Sequence, residues 1–370
     1  MAGEPYLKIF SQKDIDHLES VQRSGRRHPV VNAALGDDLI AANTSRAAEV
    51  VFVRDEGWLQ SLRPRLLATD DFSHAASALG EIRAHGSLIE TWMEVQPSPQ
   101  VREKAVSPEF EVDAKDGKVI VEVHSRHLDK DQLDRTEQYY AGILARQAEA
   151  VAKAEAAGKK GYVSTSGIIG IFPTGEPEAD KAGDSLLCNT ISRIAAVKES
   201  EHQVDQSKPF VLWLDLQDVD VWGPDISPEM TLMPLYSERE GVVGGGAFWF
   251  ALYGRKEGPL LESRGYQYRS TLMQHEGRFR QTMKSHGGPT RVSAVVFSLP
   301  RATVLMEHPC AIHPLPPRFR AAMLKAPRFR LDLSLIEWQP GLVGEIIEVQ
   351  HHLVNAAVKA LEAFDTIGSK

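Results

Sequence analysis

Residues 107–126 read SPEFEVDAKDGKVIVEVHSR, and their alternation of apolar and charged side chains predicts two short strands joined by a tight turn. Asp116-Gly117 supplies the turn chemistry, because a two-residue hairpin loop needs positive φ and Asp-Gly tolerates it. With those two residues as the loop, Lys115 pairs with Lys118 and the register runs outward from there. Phe110 then faces Val123, Val112 faces Val121 and Ala114 faces Val119, so one face is apolar. On the other face Glu111 lies opposite Glu122, and Glu109 lies opposite His124. Like charges directly opposite each other destabilise a strand pair. This face therefore calls for a neutralising partner, and a divalent cation is the first candidate. The alternative is a solvent-facing acidic strand pair that holds no ligand.

Upstream, Asp70-Asp71 opens a helix to about residue 90, with Ala75, Leu79, Ile82, Gly86 and Ile89 as its buried stripe. Glu81 lies off that stripe. Residues 1–70 read as mostly helical: Ser11 caps 12–22, and weaker helical segments lie near 29–43 and 56–67. Arg26, Arg27 and His28 read as a solvated turn. Residues 91–95 form a strand that Pro97 and Pro99 end.

Downstream, 129–157 is a helix rich in Ala, Gln, Glu and Lys, closed by Gly158. Strands follow at 162–172, 209–216, 246–253, 291–298 and 302–306, the second apolar enough to be buried on both faces. Helices are expected at 184–199, 318–325 and 343–364. Residues 218–237, with three prolines, read as a loop, and GVVGGG at 241–246 reads as a flexible turn. This mixture indicates an α/β fold with one central mixed sheet flanked by helices.

A chain of 370 residues can bury a sizeable core, and its 42% hydrophobic and 25% charged content is ordinary for a globular protein. A formal net charge of -8 argues against coating nucleic acid through bulk charge, and leaves room for a local basic groove. Two cysteines, Cys188 and Cys310, are too few for a disulfide framework and point to the cytoplasm. The opening residues lack a signal-peptide pattern, and no run approaches the ~18 apolar residues of a membrane span.

The order helix with Glu81, strand, PEFEV, turn, VIVEVH, helix resembles the core of the PD-(D/E)XK nuclease superfamily, also called restriction-endonuclease-like, over about residues 71–145. In that family an acid after proline begins the second strand and an (Asp/Glu)-X-Lys triplet lies on the third. Pro108-Glu109 stands at the first motif, and Glu122-Val123-His124 at the second with His for Lys. The resemblance implies a nuclease-like domain over 69–370 with insertions after 174, preceded by a helical extension over 1–68. It implies a Mg2+- or Mn2+-dependent deoxyribonuclease in which Glu109 and Glu122 hold the metal and Glu81 assists. His124 would position the water, since a histidine can take a proton near neutral pH but is no permanent cation. The other reading is a catalytically silent scaffold that binds nucleic acid or protein.

For nucleic-acid contact, DNA before RNA, the candidates are Arg318, Arg320, Lys325, Arg328 and Arg330, interleaved with Phe319 and Phe329. Arg278, Arg280 and Lys284 form a sparser basic stretch. Each also reads as a solvated helix face. His308, Cys310 and His313 have short spacings that suit zinc, but no fourth ligand accompanies them.

Overall fold

The computed structural model describes residues 9–23, 26–36, 39–97, 109–125, 130–158, 207–217, 234–237, 242–245, 248, 251–252, 277–280, 290–300, 303–308 and 311–325. Helix α1 (Gln12–Ser20) starts at a reciprocal cap in which Ser11 and Asp14 each accept from the other's backbone N–H. A short ribbon follows, β1 (Gln22–Arg23) with β2 (Arg26–Arg27). Then come α2 (Pro29–Leu35), α3 (Leu39–Ser61), α4 (Arg63–Leu66) and α5 (Phe72–Ile89). The helix expected near 29–43 is thus two helices. The one expected near 56–67 is the continuation of α3 past a break at Asp55 (φ -150°, ψ 62°), followed by α4. His28, read as part of a solvated turn, is instead buried. Its Nδ1 accepts from Val30 N–H at α2, and its Nε2 lies 2.9 Å from the Ala68 carbonyl.

Among the described residues the main sheet has six strands, β3 (Glu94–Pro97), β4 (Phe110–Asp113), β5 (Lys118–Ser125), β6 (Phe210–Asp215), β9 (Val292–Ser298) and β10 (Thr303–Glu307). Their spatial order is β10-β9-β6-β5-β4-β3. β3, β4 and β5 form an antiparallel meander, β5, β6 and β9 run parallel, and β10 returns antiparallel. The fold is therefore α/β with a mixed open sheet. Helix α6 (Lys130–Ala156) lies between β5 and β6 in the chain and ends at Gly158, whose φ of 64° suits glycine. Helix α7 (Pro317–Lys325) follows the last strand.

The strand expected at 91–95 lies two to three residues further on, because Thr91 and Trp92 continue the turn out of α5. A second ribbon pairs β7 (Pro234–Ser237) with β8 (Val242–Gly245), so the expected loop and the GVVGGG turn both contain strand. Phe248, Ala251 and Leu252, expected in a strand, are helical and buried; their spacing of three and four is that of one helix face. The expected elements at 162–172, 184–199 and 343–364 lie outside the described residues, as do Arg328 and Arg330.

Two cores meet at α5. Ala75, Ala78, Leu79 and Ile82 pack with the N-terminal helices, whereas Ala84 and Leu88 pack with Phe110, Val121, Val211 and Trp213 of the sheet. The helix is therefore buried around most of its circumference rather than along one stripe. Among the described residues no helix is long and apolar enough to cross a membrane.

Candidate metal and catalytic site

The hairpin forms, with its register two residues away from the expected one. Phe110 pairs with Val121, Glu111 with Ile120, Val112 with Val119 and Asp113 with Lys118. The loop is Lys115-Asp116, not Asp116-Gly117. The Ala114 N–H donates to the Gly117 carbonyl at 3.0 Å, and Lys115 adopts φ 69°. The Lys115 N–H donates to Asp113 Oδ1 at 2.7 Å, which holds that left-handed turn. A shift of two preserves which side chains share a face and changes which stand opposite each other. One step beyond the last paired residues, Glu109 now comes opposite Glu122 rather than His124.

Burial also departs from a solvent-facing acidic strand. β5 is central in the sheet and buried from Val119 to Val123, so Glu122 is only 5% exposed. Its Oε2 has no hydrogen-bond partner among the described residues. Its Oε1 lies 3.5 Å from His124 Nε2, a loose contact, and the His124 side chain is 44% exposed at the rim. Glu109 Oε2 accepts from the Val123 N–H at 2.9 Å, which ties the start of β4 to the end of β5. Burial, then the charge of Glu122, push the Glu109 carboxyl up to about 9; the charge of Glu81 adds to this and the Val123 bond opposes it.

Glu81 reaches this neighbourhood because α5 approaches the end of β5 closely. A Cβ on Gly80 would come 1.8 Å from Ser125 Oγ and 3.0 Å from Asp215 Oδ2. Glu81 is half-buried and carries a bidentate ion pair, with Arg65 Nη1 and Nη2 at 2.8 and 2.7 Å from its oxygens. The third acid of the hairpin, Glu111, is separate from the pair. Lys118 Nζ and Lys208 Nζ both bond to it, at 2.5 and 2.8 Å, and hold its carboxyl below the usual range.

The structure thus brings Glu109, Glu122 and His124 together, with Glu81 near enough to act on Glu109 through its charge. Sequence reasoning missed Arg65 and Lys208. Nothing in the local pattern marks Arg65, and Lys208 becomes visible only once β6 is known to pair with β5. The basic cluster fares differently. Arg320 pairs with Glu307 in a bidentate ion pair, and the Arg318 N–H donates to Asp116 Oδ2 at 2.9 Å. Arg278 is buried and Phe279 packs on the His308 ring.

Among the described residues, no group of three or more His, Cys, Asp or Glu side chains is arranged to hold a metal ion. Two carboxylates fit a hard divalent ion nonetheless, since such an ion keeps several waters and takes one or two protein oxygens. The fit rests on a buried Glu122 oxygen that no hydrogen bond from a described residue reaches, and on the charges of Glu122 and Glu81, both of which act on the Glu109 carboxyl. No family model, curated protein or solved structure matches the chain.

Proposed function

We propose that this chain is a metal-dependent phosphodiester hydrolase acting on DNA, with a restriction-endonuclease-like core. The observation that carries the reading is the buried Glu109–Glu122 pair, in which Glu122 Oε2 meets no donor from the described residues. Two acids facing each other in a sheet core are costly for folding alone, and that cost is explained if the pair serves a cation. The element order supports the reading too: a helix bearing Glu81, three antiparallel strands, a helix, then a strand parallel to the third. A bound Mg2+ or Mn2+ would polarise the phosphoryl group and lower the pKa of its water.

The chain's own residues supply the rest. Glu109 and Glu122 hold the ion from adjacent strands. The exposed His124 ring, with Nε2 beside Glu122, orients the attacking water and accepts its proton. Glu81, ion-paired with Arg65, assists through its charge on Glu109 and not as a direct ligand.

The test is cleavage of plasmid and single-stranded DNA with Mg2+ or Mn2+. Glu122→Ala should lower the rate by roughly a hundredfold or more, and metal should raise the thermal midpoint of the wild type, because a ligand of the folded state stabilises it. No metal-dependent cleavage, or cleavage indifferent to Glu122→Ala, sinks the reading. The capture of Glu81 by Arg65 and the lack of a permanent cation at His124 favour a second reading, a catalytically silent scaffold that binds nucleic acid. That scaffold would bind DNA and leave it intact.

A further inference from the structure

Trp92, in the turn out of α5, combines two features that folding alone does not explain. It is 90% exposed, and its φ of 62° lies in the left-handed region. Helices commonly end on a left-handed residue, but that residue is usually glycine, and a bulky side chain there is strained. The Trp92 N–H donates to the Ile89 carbonyl at 3.0 Å, so the turn is made by backbone and draws nothing from the indole. Single exposed apolar side chains are ordinary. One that also occupies a position suited to glycine is not. The surroundings are acidic. Glu94 lies two residues on, at the exposed start of β3, and Asp113 of β4 stands directly opposite it in the register. Like charges so placed destabilise a strand pair. The Asp113 carboxylate accepts the Lys115 N–H, and Glu90, two residues before Trp92, is ion-paired with Arg46. Among the described residues no basic side chain pairs with Glu94 or Asp113.

We propose that Trp92, with Glu94 and Asp113 beside it, docks an arginine side chain presented by a partner protein. The face of an aromatic ring attracts a cation, tryptophan most strongly, and a planar guanidinium can lie flat on it. The two carboxylates then accept the guanidinium N–H groups, which relieves their mutual repulsion. The same charges weigh against the other occupants. A nucleic-acid backbone or an anionic lipid surface would bring phosphates up to Glu94 and Asp113. An apolar protein surface would strip water from both acids without supplying a counter-charge. The chain's formal net charge of -8 also favours the approach of a basic partner. Tryptophan and arginine are the side chains enriched at the energetic centres of protein interfaces, which fits this pairing. The docking point is separate from the Glu109–Glu122 pair, because Glu109 and Asp113 lie four residues apart along the chain into β4, about 13 Å.

The test uses the full chain and a fluorescein-labelled peptide in which arginines are spaced by glycine and serine, with binding read by anisotropy. A second peptide with citrulline for arginine keeps the shape and lacks the charge. The wild type should bind the arginine peptide about tenfold more tightly than the citrulline peptide, and Trp92→Gly should remove most of that margin. Glu94→Gln should remove a smaller part. Trp92→Gly leaves the net charge unchanged, so bulk attraction is the same in both proteins. It also separates docking from packing, because glycine suits a φ of 62°. Its thermal midpoint should therefore rise by about 2 °C instead of falling. Equal affinity of wild type and Trp92→Gly for the arginine peptide, or no preference over citrulline, overturns the docking point. A midpoint that falls in Trp92→Gly makes Trp92 a structural residue and overturns it as well. If sedimentation velocity shows that the wild type self-associates and Trp92→Gly does not, the occupant is a second copy of this chain and the arginine partner is wrong. Loss of peptide binding in Glu122→Gln but not in Trp92→Gly would put the cation at the acid pair instead.

Discussion

At the scale of single residues, Glu122 and His85 show how buried polar groups reveal themselves through their cost. Among the described residues no hydrogen bond reaches the buried Glu122 Oε2, and this carboxylate stands beside Glu109, whose carboxyl burial and the Glu122 charge push up to about 9. An unsatisfied buried polar group costs about 1–3 kcal/mol. Glu122→Gln removes the charge and keeps the shape, so in EDTA it should stabilise the fold by about 1–2 kcal/mol, read from a urea midpoint, while the stabilisation that Mn2+ confers on the wild type disappears. A variant less stable than wild type in EDTA would mean that Glu122 has a structural partner. His85 is 1% exposed, with its ring edge-on to Trp58 at 4.5 Å and tilted against Phe110 at 4.8 Å, and its Nδ1 has no hydrogen-bond partner among the described residues. Burial pushes it down to about 4 from 6.5, against the opposing charge of Asp55. The unfolded chain therefore binds a proton between pH 6.5 and 4 that the folded chain refuses. This contribution is fully present above 6.5 and is lost as pH falls toward 4. The loss is on the order of 3 kcal/mol, and His85→Leu should flatten that part of a stability–pH curve. An unchanged slope would place the acid sensitivity elsewhere.

At the scale of elements, the hairpin and α5 mark where the sequence is legible and where it is not. Alternation placed Glu109, Glu111, Glu122 and His124 on one face, because parity depends only on the period of two. The register differs from the expected one because Asp-Gly is the stronger turn signal, whereas the chain puts Lys115 in the left-handed region and secures it with Asp113. Periodicity in α5 showed one stripe, yet its glycines admit neighbours on different sides. Gly80 faces Ser125 of β5, and a Cβ on Gly86 would lie 2.6 Å from Ala47 Cα and 2.8 Å from its carbonyl oxygen. That obstacle is backbone and cannot rotate away. Gly86→Ala should therefore cost about 2–3 kcal/mol by forcing α3 and α5 apart. In α6 no described residue lies within 4 Å of a Cβ on Gly142, so Gly142→Ala should gain up to about 1 kcal/mol. Thermal midpoints moving in opposite directions verify both; equal shifts would show that the helix crossing is looser than described.

At the scale of the whole molecule, the N-terminal helices and the sheet are joined through polar contacts that no local pattern announces. Arg83 of α5 and Asp215 of β6 are 132 residues apart and both 1% exposed, with Arg83 Nη2 2.5 Å from Asp215 Oδ2. Arg83 Nη1 donates to Thr44 Oγ1 of α3 at 3.2 Å, and Asn43 of α3 donates to Gln217 and to the Pro300 carbonyl beyond β6 and β9. In sequence Asp215 sits inside the apolar run PFVLWLDL, and Arg83 lies off the apolar stripe expected for its helix. Periodicity describes which face an element buries, but not which distant charge meets it there. The pair also anchors α5 two residues from Glu81 and one strand from His124, so it sets how the helix carrying Glu81 approaches the acids. Desolvating two charges costs about what their attraction returns, whereas leaving one alone costs about 3–5 kcal/mol. Arg83→Met should thus destabilise by about that amount, and adding Asp215→Leu should recover most of it. The double-mutant cycle then yields a large coupling energy from denaturant midpoints. Additive losses would instead make the two residues independent packing elements and leave Glu81 positioned by Arg65 alone.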